Sequence, residues 1–296
     1  MIYERIASNK RNSVLLAFLF FAIVAALGFA LGALFQSGYM GVIIAVIISV
    51  TMISFSYFMG DQAVLAINRA TPASKKEYPQ LVNIVEGLSI ASGLPKPKVY
   101  IIDDKSINAF ATGRDPKHAS IAVTTGALEK LNREELEGVV SHEMSHVKNY
   151  DVRFMTLVAI LVGVVAILAN IFLRSMWWSG PNRRDREGGN QIQIIFVLVG
   201  LVLAILAPLA AQLIKFAISR KREFLADAEG ALLTRYPKGL ANALRKIEKD
   251  SNILKDASPA MEHMYIANPF KKPNWFSNLF STHPPIEERI KALESM

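Results

Sequence analysis

The sequence predicts an α+β protein that is mostly helical, with a small sheet in a polar domain and four transmembrane helices. Four uncharged stretches are each long enough to cross a bilayer, which takes about 20 apolar residues. Hydrophobic residues make up 52% of the 296 residues, and the mean hydropathy is +0.29. Charged residues still reach 20%, which is too many for a bundle of membrane helices alone. The chain therefore combines membrane segments with a substantial polar domain.

The uncharged stretches form two pairs. They run over residues 13–35, 40–59, 154–173 and 192–214. The first run is too long for the apolar region of a signal peptide, and a second run follows at once, so the pair is predicted to be a helical hairpin. The fourth run contains Pro208 and Gln212, which neighbouring helices must accommodate. For the second pair, an alternative is a set of buried helices in a soluble core, where uncharged runs of this length are uncommon.

Basic residues beside the spans predict the orientation in the membrane. Lys and Arg occur before the first span and are absent from the turn after it, which places the N-terminus in the cytoplasm. Two crossings then return the chain to the cytoplasm at Gly60. The loop between the third and fourth spans contains Arg174 and three further arginines, and it would lie outside, which conflicts with this rule. We expect a multi-pass protein of the cell membrane with its polar domain on the cytoplasmic side.

The net charge of +8 raises nucleic acid as a possible partner. The basic clusters flank the apolar runs, however, as expected for contacts with anionic lipid headgroups. The lipid bilayer is therefore the predicted partner, and nucleic acid is not. The chain has no cysteine, which excludes disulfides and thiolate metal sites.

The spans divide the chain into an N-terminal membrane hairpin (1–60), a polar domain in two parts (61–153 and 215–296) and an inserted membrane hairpin (154–214). Within the polar domain, a helix is predicted over residues 78–91. Three strands are predicted over 98–102, 109–112 and 120–124, where Val, Ile and Thr lie between glycines and prolines. A helix then opens at Asn132, with Glu135 in the position that completes a capping box. The last helix, after Pro284 and Pro285, is amphipathic.

The helix from Asn132 carries the segment His142-Glu143-Met144-Ser145-His146. Residues four apart share a helix face, so both imidazoles can reach one zinc ion. Glu143 lies partly round the helix and can hold a water without binding the metal. The alternative is a surface helix with two chance histidines. Only five histidines occur in the chain, and two of them fall here, which argues against chance.

A catalytic zinc needs a third protein ligand and one open position. Glu223 is the candidate ligand, with Asp227 on the same face to accept the N–H of a ligand histidine. Taken alone, the segment around Glu223 is typical of a charged helix end. Together with the histidine motif, it makes Glu223 the favoured third ligand. These ligands must lie on one side of the membrane, so an even number of crossings separates them. The two predicted spans satisfy this requirement, as would none.

At this point the sequence resembles the HtpX-type membrane-embedded zinc metalloproteases, which are related to the CAAX prenyl proteases. The resemblance covers nearly the whole chain. It rests on four blocks: Asn108 to Gly113, His142 to Asp151, Ser219 to Asp227 and Ser281 to Pro285. It implies a gluzincin-type protease domain and one zinc ion held by His142, His146 and Glu223.

The resemblance also implies roles for other residues. Glu143 is implied as general base, Asn108 lies by the substrate strand, and His283 lies beside the scissile carbonyl. Asp151 and Arg289 receive no role. The implied function is zinc-dependent hydrolysis of peptide bonds in unfolded or membrane proteins, as part of membrane protein quality control.

Further expectations follow from this interpretation. The strand at 109–112 is predicted to bind an extended substrate backbone by strand addition. His118 and His263 have no motif around them and are expected at the surface. Three alternatives remain: a membrane scaffold with an inactive zinc site, a metal or proton transporter, and a protease for prenylated proteins. The transporter is disfavoured because the predicted spans contain no ionisable residue.

Overall fold

The computed structural model describes residues 2–34, 37–178, 220–254, 258–269 and 284–296, together with residues 200 and 202. The helices are α1 (Ile2–Leu34), α2 (Gly38–Ile67), α3 (Pro79–Ser92), α4 (Thr125–Lys130), α5 (Arg133–Lys148), α6 (Asp151–Trp178), α7 (Arg220–Thr234), α8 (Pro237–Lys249) and α9 (Ile286–Glu294). The strands are β1 (Thr71–Pro72), β2 (Lys98–Ile102), β3 (Ala109–Gly113) and β4 (Ala119–Thr124). His283 and the predicted fourth span, apart from residues 200 and 202, lie outside the described residues.

Helices α1 and α2 form the predicted N-terminal hairpin. Two stretches, Ile6–Ala26 and Gly38–Ile67, are long and apolar enough to cross a membrane. The helices approach closely near their connection, where a Cβ atom on Gly41 would collide with the backbone carbonyl of Gly28. Small residues permit such backbone contact between membrane helices. The third predicted span lies within α6, which bends by 85° from α5, and its crossing of a membrane stays a prediction.

The polar domain contains a small mixed sheet in the order β1-β2-β4-β3. Strands β2 and β4 are parallel, and β3 pairs antiparallel with β4 at the edge of the sheet. The three predicted strands are confirmed. The two-residue strand β1 was not predicted, because so short a segment has no periodicity of its own. The edge position of β3 is important for the site described below.

Two apolar clusters hold the domain together. The larger one buries the sheet against α3, α5 and α8, with Phe110, Ile121 and Val140 at most 1% exposed. The smaller one joins the first turns of α6 to α1 through Val158, Leu161 and their neighbours. The core of the polar domain and the N-terminal hairpin are thus packed on the same helix, α6.

The predicted capping box at the start of α5 is confirmed. The Asn132 side chain accepts from the Glu135 backbone N–H at 2.9 Å, and the Glu135 carboxylate accepts from the Asn132 N–H at 2.8 Å. Lys246 of α8 donates to the same carboxylate at 2.6 Å. These bonds satisfy donors that the first helical turn leaves unpaired and fix the start of the helix.

We predict that Asn132→Ala lowers the free energy of unfolding by about 1 kcal/mol, because the cap acceptor is lost. Urea unfolding followed by circular dichroism measures this change. Asn132→Ser keeps a side-chain oxygen and serves as the matched control. Equal stability of the Ala and Ser variants would show that the cap contributes nothing.

The expectation for one of the two isolated histidines is wrong. His118 is exposed, as predicted. His263 is only 2% exposed, and its Nε2 donates to the Met155 carbonyl at 3.0 Å. The short 3₁₀ turn Pro259–Met264 packs under α6 and carries His263 into the interior. Its partner is 108 positions away along the chain, so no local pattern could have indicated this burial.

Candidate active site

Two helices bring the predicted metal ligands together. Helix α5 presents His142 and His146 four residues apart, and α7 presents Glu223 opposite them. One ligand atom from each of the three side chains lies within 4.8 Å of the others. All three residues are buried, at 1%, 4% and 6% exposure. The local helix periodicity therefore produces one compact N/N/O cluster.

The distances in this cluster suit a tetrahedral metal ion. The two Nε2 atoms are 3.2 Å apart, and the Glu223 oxygens lie 3.8 Å from Nε2 of His142 and 3.6 Å from Nε2 of His146. In a tetrahedral site with bonds of about 2.0–2.1 Å, ligand atoms are about 3.3 Å apart. The two histidine nitrogens have this spacing, and each Glu223 oxygen lies slightly farther from one of them.

The hydrogen bonds of the two histidines assign their tautomers. Each Nδ1 lies beside a carboxylate, Asp227 for His142 at 2.9 Å and Asp151 for His146 at 3.0 Å. A carboxylate only accepts, so each Nδ1 carries the hydrogen, and in the neutral rings both Nε2 atoms present lone pairs. Two lone pairs facing each other at 3.2 Å repel unless a proton or a metal ion lies between them. The residues present thus fit a divalent metal ion.

Arg289 of α9 supports the His142 side of this cluster. It donates from Nε and Nη2 to both oxygens of Asp227, at 2.8 and 2.6 Å, and lies 3.6 Å from Glu223. Burial alone raises the pKa of Asp227, but the Arg289 guanidinium lowers it below its usual value. The Asp227 carboxylate thereby stays charged and holds the His142 ring in place. Arg289 itself is completely buried.

Asp151 supports the other histidine from the elbow between α5 and α6. Tyr150 at this elbow has a φ of +61°, a conformation that bulky residues rarely adopt. Asn9 of α1 donates to Asp151 at 2.6 Å and to the Asn149 carbonyl at 2.8 Å. Lys10 lies 4.2 Å from the centre of the Tyr150 ring. The membrane hairpin is thus bonded directly to the residue that orients His146.

We predict that Asp151→Ala lowers metal affinity about 10- to 100-fold, because His146 loses the acceptor that fixes its ring. Competition with a chelating dye measures the affinity. Asp115 makes a similar bond of 2.8 Å to His118 at the protein surface, so Asp115→Ala is the matched control. An unchanged affinity in Asp151→Ala would remove this positioning role.

Glu143 lies one residue after His142, and its carboxylate is 1% exposed. Within the described residues, neither of its oxygens has a hydrogen-bond partner. Burial raises the pKa of Glu143 to about 7, opposed by the charge of His146 and reinforced by that of Glu223. The Ala111 amide lies near the carboxylate without reaching hydrogen-bond geometry. A buried, unpaired carboxylate with such a pKa is suited to exchanging a proton near neutral pH.

The edge of β3 faces this site, and part of it is occupied. Alternation along the strand directs the backbone groups of Ala109, Ala111 and Gly113 away from β4. Ile266 donates its N–H to the Ala109 carbonyl at 3.0 Å, and Gly113 donates to Thr156 Oγ1 at 3.3 Å. An antiparallel bridge also pairs Phe110 with Tyr265, so the chain's own segment lies along Ala109 to Ala111. The predicted strand addition therefore competes with this segment for the edge of β3.

Asn108 lies at the start of this edge strand and is buried. Its side chain donates to the Ala267 carbonyl at 3.3 Å and accepts from the Ala109 N–H at 3.0 Å. Asn108 thus contacts the chain's own segment after the 3₁₀ turn.

The sequence assigned no role to Arg289, although its position is unusual. It is a charged residue on the apolar face of α9, beside Ile286 and Ile290, and this pattern could have indicated a buried, paired arginine.

Two histidines and a carboxylate around one point, with an unpaired buried glutamate beside them, define the site of a metal-dependent peptidase. Residues 75–296 match peptidase family M48, and the chain belongs to this family. It is a membrane metalloprotease.

Relatives described as protease HtpX homologues match over the full length. One from Ligilactobacillus salivarius is 46% identical, with 100% of both chains covered. One from Caldanaerobacter subterraneus subsp. tengcongensis is 47% identical, covering 100% of this chain and 98% of the relative. Among solved structures, the crystal structure of S. mikatae Ste24p shares the fold, with a TM-score of 0.51 and 21% identity. It covers 99% of this chain and 67% of that protein.

Proposed function

We propose that this protein is a zinc endopeptidase of the cell membrane that degrades misfolded or damaged membrane proteins at the cytoplasmic face. The observation that carries this proposal is the buried, unpaired Glu143 carboxylate beside the His142, His146 and Glu223 cluster. Zinc is proposed from the ligand types, although two histidines and a glutamate also hold other divalent ions. One zinc per chain is expected.

The chain's residues divide the chemistry among them. Zinc, when bound by His142, His146 and Glu223, supplies a Lewis acid that lowers the pKa of water and polarises a carbonyl. Glu143 accepts a proton from the attacking water and delivers it to the leaving amine. Its burial supports this role, because neither of its oxygens has a hydrogen-bond partner among the described residues and both can contact a water. Asp151 and Asp227 keep the two histidines oriented.

The substrate is proposed to bind in extended form at the edge of β3. Ala111 is the part of this edge that lies by Glu143, and a substrate there would take the place of the segment that pairs Tyr265 with Phe110. Main-chain hydrogen bonds form with almost any substrate sequence. This mode of binding therefore suits unfolded segments of many different proteins. Asn108 is proposed to help place this substrate, and His283 to donate to the developing oxyanion, both as the family resemblance implies.

The main alternative is a membrane scaffold with an inert metal site. A structural zinc site is closed by four protein ligands. The described residues provide three ligands here, with a carboxylate beside them that is not needed for binding. This arrangement favours catalysis over a purely structural role.

The test is casein cleavage by the full chain in detergent, before chelation, after chelation and after zinc is returned. We expect cleavage to disappear with the metal and to return with zinc. Retention of one zinc without cleavage of casein would overturn the proposal in favour of the scaffold. Cleavage confined to a prenylated peptide would instead identify a prenyl-protein protease.

A further inference from the structure

A cavity of about 300 Å³ lies where the membrane hairpin meets the peptidase domain. Its walls come from α1, α2, the end of β3 and the start of α6. Ala17, Ile53 and Leu157 contribute apolar surface to it. Tyr57 and Phe58, which also line it, are 38% and 58% exposed, as aromatic residues at a membrane interface are. The cavity therefore opens near the end of the hairpin that is closest to the metal site.

Two arginines lie at this cavity above the aromatic rings. Arg153 donates to the Tyr57 hydroxyl at 2.9 Å, and its guanidinium is 5.1 Å from the centre of that ring. Arg114 lies 5.4 Å from the ring of Phe58 and 3.7 Å from the Asp115 carboxylate. Over the parts of the chain that the structure describes, Arg153 forms no ion pair with a carboxylate. Its positive charge is therefore available to an anion.

The donors at this cavity indicate the chemistry of its ligand. Arginine side chains only donate, so the two guanidinium groups call for a ligand rich in acceptor oxygens. Asp61, which also lines the cavity, accepts only and suits a ligand that carries hydroxyl groups as well.

We propose that this cavity binds an anionic phospholipid whose headgroup carries hydroxyl groups, as in phosphatidylglycerol. The phosphate contacts Arg114 and Arg153, a headgroup hydroxyl donates to Asp61, and part of one acyl chain lies against Ala17 and Leu157. Basic pockets beside transmembrane helices are typical sites for anionic headgroups.

The test uses the full-length chain in lipid nanodiscs and native mass spectrometry of bound lipid. We expect phosphatidylglycerol to be retained in preference to phosphatidylcholine. Arg153→Gln should reduce that preference about five-fold, the effect of one basic residue near an anionic lipid. Arg133→Gln removes the same charge at an exposed position of α5 and should leave the preference unchanged.

Two further experiments distinguish binding of a whole lipid from binding of a phosphate group alone. Ala17→Phe fills the apolar part of the cavity and should reduce retention of phosphatidylglycerol without a change in charge. Glycerol 3-phosphate alone should not compete, because it lacks the acyl chain. Equal retention of the two lipids by the unaltered chain would overturn the proposal, and so would equal behaviour of Arg153→Gln and Arg133→Gln. Competition by glycerol 3-phosphate would show a phosphate site instead of a lipid site.

Discussion

Glu143→Gln is expected to lower kcat for peptide hydrolysis about 10²- to 10⁴-fold, the usual contribution of a general base. Glutamine has nearly the same shape but cannot accept the proton of the attacking water. The carboxylate that it replaces is buried, and its pKa is raised to about 7. The amide should leave the metal cluster intact, since Glu143 is not among its three ligands.

Casein cleavage and metal content measured on the same sample separate the two effects. The variant should keep one zinc per chain while its cleavage is lost. Glu134→Gln makes the same chemical change at an exposed position of the same helix and should behave like the unaltered chain. Full activity in Glu143→Gln would exclude Glu143 as the base.

Glu223→Ala is expected to abolish both metal retention and cleavage, because it removes one of three protein ligands. The loss should extend beyond the metal. Arg289 lies 3.6 Å from this carboxylate, so the variant leaves a completely buried guanidinium with one anion fewer. We therefore expect reduced stability as well, which unfolding in urea will show.

Metal analysis after dialysis and a chelator titration measure the first effect. Glu229→Gln is the matched control on α7, since glutamine retains an oxygen for its partner Asn149. Glu223 can reach the two histidines because α7 lies close to α5. At Gly230 of α7, an added Cβ would lie only 3.0 Å from the His142 backbone nitrogen. If Glu223→Ala retained zinc as well as Glu229→Gln does, the third ligand would have to be another residue.

Local patterns carried the sequence-based prediction furthest. The capping box at Asn132 and Glu135 is formed within four residues, and the structure confirms it. The spacing of His142 and His146 and of Glu223 and Asp227 likewise follows from helix periodicity, so shared faces could be inferred before any tertiary structure was known.

Contacts between distant segments could not be inferred in this way. The burial of His263 depends on Met155, and the occupation of the β3 edge depends on Ile266, more than a hundred positions later. The bond of Asn9 to Asp151 joins residues 142 positions apart. Arg289 was visible as a charged residue on an apolar stripe, but its partner Asp227 was not. These pairings depend on how the helices pack against one another. A single sequence shows no periodic pattern from which that packing can be predicted.

The hydrogen bond from Asn9 to Asp151 has a consequence for how the newly synthesised chain folds. The first helix is synthesised long before the elbow that it contacts, yet the elbow is complete only when that helix has docked. Until then Asp151 lacks one of its hydrogen bonds, and His146 is less firmly oriented. Docking of the first helix thus completes the set of hydrogen bonds that holds Asp151 beside His146.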